Sequence, residues 1–384
     1  MERKHMGMND ILPLELIHRI LLRVPAGDLF RLRFISKLWH SLISHPDFAE
    51  SHYDLNSATS SHSHFFLLKD DTNAWCVQLD TLFDVAAAPT THKEVSLPSR
   101  EMPSFSCSLF RTMGSCRGFV LLDKKLDFLV IWNPLTGSSK TISYSHIKVP
   151  RYDLIRYGFG FDASRDDYLI VLSWHDDYNQ HRLVCFSLRT NSWINLDASL
   201  PKYMSRWKYQ LFGWFLHGAI HWLCYSRDYI DDGILIFDLK ERSFSKISMP
   251  QQLVGDYPIT FTLTILGGCL ALYLYDHDNH KTEIWVMKEY KVPSSWILMY
   301  EIPYGNNVPI CMSNGSDIIA LNYTPRYYWL RFVKYNVSGE LLNYSPRPLF
   351  ESDYFYRSFC VYTESLFPFP GDNKDRDKKN KTGM

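Results

Sequence analysis

Two hydrophobic periods divide the chain. Over the first fifty residues apolar positions recur at helical spacing: Leu14, Ile17, Leu21 and Val24 share one face, and Leu16 and Ile20 form a second apolar line. Pro13 suits the first turn of this helix, and Pro25 and Gly27 stop it. Asp28 is placed to cap a short second helix through Leu29 and Leu32. Ile35, Leu38, Trp39, Leu42 and Ile43 mark a third, which Pro46 closes. Three helices this short cannot bury their apolar surface among themselves. The surplus is either a docking face or a surface that packs on the rest of the chain, and periodicity alone leaves both open.

From about residue 64 the pattern changes to short apolar runs separated by Gly, Asn, Asp, Ser and Pro, as at 118–122, 128–132, 168–174, 183–188, 234–239 and 270–275. No long amphipathic helix separates them, which argues against βαβ units. Six strand–turn units repeat, carried by Leu79-Asp80-Thr81, Asn133-Pro134-Leu135-Thr136, Ser187-Leu188-Arg189-Thr190, Asp238-Leu239-Lys240-Glu241, Met287-Lys288-Glu289 and Asn336-Val337-Ser338. Their turn residues fall 55, 54, 51, 48 and 49 apart, near the roughly 50-residue period of a kelch-type blade. The spacing predicts a β-propeller of about six kelch-like blades, each of about four strands. Strand-rich pieces at 65–68 and 356–366 are left over at the two ends. Pairing them removes an open sheet edge, so the C-terminal strand is expected to complete the blade begun by residues 64–81. Trp193, Phe244 and Trp296, each following a turn, are expected to pack between blades.

Charge and composition narrow the function classes. Lys+Arg 41 balances Asp+Glu 41 at a pI near 7.2, which argues against a partner held by bulk positive charge, nucleic acid above all. The longest apolar run, 265–275, contains two glycines and is too short to span a bilayer. Glu2, Arg3, Lys4 and His5 stand where a secretory leader would begin its apolar stretch. The eight cysteines form no CxxC pair and sit in or beside apolar runs, as core residues in a reducing compartment do. A cytoplasmic or nuclear protein with neither metal nor cofactor is expected.

Motifs for chemistry are weak. Gly158-x-Gly160 lacks a third glycine, and His217 and His221 have protease-like spacing with Gly218 where the general base would stand. No G-x-S-x-G elbow occurs. The richest polar clusters are His175-Asp176-Asp177 and Asp276-His277-Asp278, with Tyr229 and Asp231 at the corresponding place in the fourth unit. Each falls between the second and third strands of its unit, where solvated hairpin tips carry such residues anyway. Equivalent loops emerge on one face of a propeller, so these eight residues form a candidate target-binding rim.

Two resemblances go further. Leu12-Pro13-Leu14-Glu15-Leu16-Ile17, Ile20-Leu21-Leu22-Arg23-Val24-Pro25, Leu29-Phe30-Arg31-Leu32-Arg33-Phe34, Ser36-Lys37-Leu38-Trp39 and Pro46-Asp47-Phe48 resemble the F-box, with Ile35 where relatives often have cysteine or valine. That resemblance implies docking on the Skp-type adaptor of a cullin–RING ubiquitin ligase, with Leu12, Pro13, Leu16, Ile20, Leu29 and Trp39 at or just behind the contact. Gly114-Ser115-Cys116-Arg117-Gly118-Phe119, Trp132-Asn133-Pro134-Leu135-Thr136-Gly137, Tyr157-Gly158-Phe159-Gly160-Phe161-Asp162, His217-Gly218-Ala219-Ile220-His221-Trp222 and Phe237-Asp238-Leu239 resemble the F-box-associated interaction domain of plant proteins. The expected chain is mostly β with a small N-terminal all-α domain: a three-helix F-box at 8–52, a linker at 53–63, a propeller at 64–368 and a disordered charged tail at 369–384. The implied function is non-catalytic: the substrate-recognition subunit of the ligase. A propeller enzyme and a scaffold without a degradation target are the rivals.

Overall fold

A computed structural model describes residues 13–57, 63–70, 72–84, 92–98, 110–124, 128–147, 155–176, 178, 180–196, 212–224, 232–253, 261–276, 278–303, 305–324, 329–346 and 359–369. Helices come first: α1 Leu14–Leu21, α2 Ala26–Leu32, α3 Lys37–Ile43 and α4 Pro46–Ser57. The number of helices and two boundaries differ from the sequence reading. Pro25, with its fixed φ, precedes α2, so Asp28 lies inside the first turn, 3.5 Å from Arg31, and does not cap it. Ile35 lies in the turn before α3, whose true cap is Ser36: its hydroxyl accepts the Trp39 backbone N–H. Pro46 opens a fourth helix, because proline lacks only an N–H that the first turn leaves unused.

The strands form six four-stranded antiparallel sheets among the described residues. Blade 1 contributes β1 Ser63–Leu68, β2 Asn73–Gln78 and β3 His92–Ser96; blade 2 has β4 Arg111–Cys116, β5 Phe119–Lys124, β6 Phe128–Trp132 and β7 Ser139–Ser143. Blade 3 has β8 Arg156–Asp162, β9 Asp167–His175, β10 His181–Ser187 and β11 Ser192–Asn195; blade 4 has β12 Trp214–Leu216, β13 Ala219–Cys224, β14 Gly233–Asp238 and β15 Ser243–Ser248. Blade 5 has β16 Phe261–Leu266, β17 Cys269–Asp276, β18 Lys281–Met287 and β19 Trp296–Pro303; blade 6 has β20 Asn307–Ser313, β21 Asp317–Thr324, β22 Trp329–Tyr335 and β23 Leu341–Tyr344. The last strand, β24 Phe359–Thr363, returns to blade 1 and pairs with β1, Ser63 opposite Thr363 and Leu67 opposite Phe359. The C-terminal strand completes the first blade, as the leftover strand pieces imply.

Six apolar clusters hold the ring, one at each junction between neighbouring blades. Successive residues of a strand point to opposite faces, and here both faces are covered. In β5, Val120 and Leu122 face blade 1 while Phe119 and Leu121 face blade 3. In β9, Leu169 and Val171 face blade 4 while Ile170 and Leu172 face blade 2. This is why these strands read as continuous apolar runs rather than alternating ones. The outer strands tie the blades together with polar contacts too. The Trp193 indole N–H donates to the Ser143 carbonyl of blade 2, and that of Trp296 to the Ser248 carbonyl of blade 4.

Candidate protein-docking surfaces

The helical domain divides its apolar side chains between two surfaces. Ile17, Leu21, Leu29, Ile43 and Phe48 are buried in one cluster with Phe119, Phe161 and Tyr168 of the propeller and with Leu366, Phe367 and Phe369 after β24. Leu29, a predicted contact residue, therefore stands behind the surface, and Trp39 is half-buried against the same cluster. Pro13 is exposed at the start of α1, and its carbonyl accepts the N–H groups of Leu16 and Ile17. Leu16 and Ile20 point outward at 44 and 53 % exposure, so the second apolar line of α1 faces solvent. Leu14, Phe34 at 78 % and Ile35 at 67 % join them as exposed apolar side chains that the sequence reading did not assign to a contact. Leu12 lies outside the described residues. One face of the helices packs on the propeller and another stays exposed.

The propeller face that receives the helices is fixed by the contacts. Arg117 lies in the β4–β5 turn, Asn133 follows β6 and Phe161 is near the end of β8, so the helices sit where first-to-second and third-to-fourth strand turns emerge. Turns between second and third strands leave the opposite face. His175 ends β9 and Asp176 follows it, and Asp276 ends β17 with Asp278 in the turn beyond, so these rim residues lie on blades 3 and 5 of the far face. Asp177, Tyr229, Asp231 and His277 lie outside the described residues.

The carboxylates of Asp176 and Asp276 are engaged in their own turns. Asp176 Oδ1 accepts the N–H groups of Tyr178 and Gln180, and its Oδ2 meets Arg182 at 2.7 Å. Asp276 Oδ1 accepts those of Asp278 and Asn279, and its Oδ2 accepts the Asn279 amide at 2.7 Å. These hydrogen bonds hold both carboxyls below the usual carboxylate range. Burial, then the nearby Arg156, lowers the pKa of His175, whose ring lies 5.6 Å from that of His181. Asp176 and Asp276 belong to non-adjacent blades, so they do not make an acid–base pair. The geometry is that of rigid hairpin tips presenting polar edges.

On the helix-bearing face, the third-to-fourth strand turns explain the sequence repeat. Asn133 Oδ1 accepts the N–H groups of Leu135 and Thr136, Asp238 Oδ1 those of Lys240 and Glu241, and Asn336 Oδ1 those of Ser338 and Glu340. In blade 3 the Ser187 hydroxyl takes this part, accepting the Thr190 N–H. In blade 5 Met287 offers no such oxygen, and a longer turn with a short 3-10 helix, Pro293–Ser295, supplies the Ser295 hydroxyl for the Glu289 N–H instead.

Comparison with known proteins agrees with both parts of this architecture. Residues 10–51 match the F-box domain family and residues 39–368 the F-box associated beta propeller domain family. Among curated proteins of Arabidopsis thaliana, F-box protein CPR1 is 28% identical over 314 residues, 76% of this chain and 73% of that protein. F-box protein At4g22390 is 26% identical, covering 83% of this chain and 82% of its own. F-box/kelch-repeat protein At3g23880 is 26% identical, covering 80% and 84%. With an F-box docked on a six-bladed propeller and the propeller family matched over most of its length, the chain belongs to the plant F-box proteins that carry an F-box-associated β-propeller domain.

Proposed function

We propose that this protein is the substrate-recognition subunit of a Skp–cullin–F-box ubiquitin ligase, working in the cytoplasm or nucleus. Its outward helical face binds the Skp-type adaptor, and through it the cullin and RING subunits. The far-face loops of the propeller hold a target protein for ubiquitination and degradation. The observation that carries this reading is the exposed apolar set Leu14, Leu16, Ile20, Phe34 and Ile35 on a helical domain whose other apolar side is already covered. Catalysis by such a subunit is proximity: it raises the local concentration of target lysines and supplies no reacting group.

The test is capture of a purified Skp-type adaptor by the full chain. Leu16→Asp/Ile20→Asp places two carboxylates on the exposed face without touching the buried cluster, and is expected to lower affinity by at least about a hundredfold. Thermal unfolding of the variant should match wild type. Undiminished adaptor binding by the double variant would reject the interface.

A further inference from the structure

Arg117 is an unusual residue for its place. It occupies the first position of the two-residue β4–β5 turn with φ 47, followed by Gly118 at φ 83. Two positive φ angles in succession favour Asn-Gly or Gly-Gly. The two-residue turns of blades 4 and 5 carry His217 and Gly267 there, at φ 49 and 56. Arg242 and Lys291 also stand at positive φ, 54 and 64, so it is the contacts of Arg117 rather than its backbone that set it apart.

Those contacts come from three separate parts of the chain. The guanidinium carbon lies 4.1 Å from the ring centroid of Phe161 in blade 3, 4.4 Å from Phe367 after β24, and 5.6 Å from Tyr53 of α4. Its Nη2 donates to the carboxylate of Glu50, also on α4. The Arg117 carbonyl accepts the Ser365 hydroxyl at 2.9 Å, and the Ser365 carbonyl accepts the Asn133 amide at 3.0 Å. One residue further on, the Leu366 carbonyl accepts from Arg33, which also donates to the Ile43 carbonyl of α3. The segment 364–369 is thus a wedge between helices and blades, and Arg117 is the cation at its centre.

We propose that Arg117 is a positioning residue that fixes the angle between the F-box and the propeller, and so sets where a captured target stands relative to the adaptor. This rests on the receptor reading above. A ligase that works by proximity requires the two binding surfaces to keep one relative orientation, since a freely swinging receptor dilutes its target over a larger volume. The planar guanidinium suits the task because its flat face lies against several aromatic rings while its edge pairs with a carboxylate, a geometry that a compact ammonium group lacks.

The experiment uses the full chain with a donor and an acceptor fluorophore, introduced as unnatural amino acids at the exposed Lys37 of α3 and the exposed Lys240 of blade 4. Single-molecule transfer efficiency reads the angle. Arg117→Asn makes an Asn-Gly pair that suits two successive positive φ angles, and is expected to widen the distribution by about twofold or more. Its thermal midpoint should stay near wild type, and its affinity for a Skp-type adaptor should stay within about twofold. Arg117→Lys is expected to remain broad. An unchanged width in Arg117→Asn, or a Lys variant as narrow as wild type, would overturn the proposal. Leu16→Asp/Ile20→Asp should lose the adaptor yet keep the narrow distribution. Loss of the receptor reading and loss of the positioning role therefore register in different measurements.

Discussion

His221 is fully buried in β13, with Nδ1 3.1 Å from the Trp214 carbonyl and Nε2 2.9 Å from the Tyr290 hydroxyl. A carbonyl only accepts, so Nδ1 carries the proton and Nε2 accepts from Tyr290. Burial, partly offset by the bond to Trp214, lowers the pKa to about 4. The unfolded chain titrates at the ordinary value, so between about pH 6.5 and about pH 4 it binds more protons than the folded one. This residue's contribution is complete above that window and is lost as pH falls through it. At about 1.4 kcal/mol per pKa unit the loss is roughly 3 kcal/mol. Urea-unfolding midpoints measured across this range should fall steeply in wild type and less steeply in His221→Gln. Equal slopes would show that other groups carry the acid sensitivity. The His217–His221 spacing is legible in the sequence. The partner Tyr290, 69 positions away, is not, because only the packing of blade 5 on blade 4 brings it there.

At the scale of elements, the strands and the repeat of their turns are the most legible features, and the fourth helix and the long-range contacts of single turns the least. β5, β9 and β14 stand out because both of their faces are buried, whereas α4 was missed because its buried side is Phe48, Ala49 and His52, a weak apolar signal behind a proline. The acidic hairpin tips were recognised as turns from composition. The roles of Arg117 and Gly118 were not, since the residues that they meet lie far off in the chain, on α4, in blade 3 and after β24. Gly118 has φ +83, and a Cβ there would lie 2.1 Å from the Ser365 hydroxyl oxygen and 2.4 Å from its Cβ. Gly137 has a similar φ, +75, with nothing within 4 Å. Gly137→Ala should therefore cost only backbone strain, about 1 kcal/mol. Gly118→Ala adds a collision with the wedge and should cost roughly 3 kcal/mol. Thermal unfolding of the two variants side by side checks the difference, and equal losses would mean that the 364–369 segment yields without resistance.

For the molecule as a whole, the decisive contact joins its two ends. β24 is hydrogen-bonded to β1 over Phe359–Thr363, and Phe359 packs 5.2 Å from Phe65 while Cys360 and Tyr362 are buried beside Phe66 and Trp132. Burying two aromatic side chains and two smaller apolar ones contributes roughly 5 kcal/mol or more, comparable with the whole stability of an ordinary domain. The closure was legible in the sequence because an unpaired strand remained at each end of a six-fold repeat. The coupling of that closure to the F-box was not, because nothing in the 364–369 composition says which neighbour it meets. Three shortened chains separate the two roles. A chain ending at residue 369 retains strand and wedge and should unfold at the full-length midpoint. One ending at 363 keeps the ring closed but removes Ser365, Leu366 and Phe367, so hydrogen exchange in α3 and α4 should accelerate while the blades stay protected. One ending at 358 leaves β1 an open inner edge and uncovers Phe65 and Phe66, and the cooperative transition should disappear. If exchange in the helices and the blades rose together in the chain ending at 363, ring closure and F-box docking would be a single cooperative unit rather than two stacked ones.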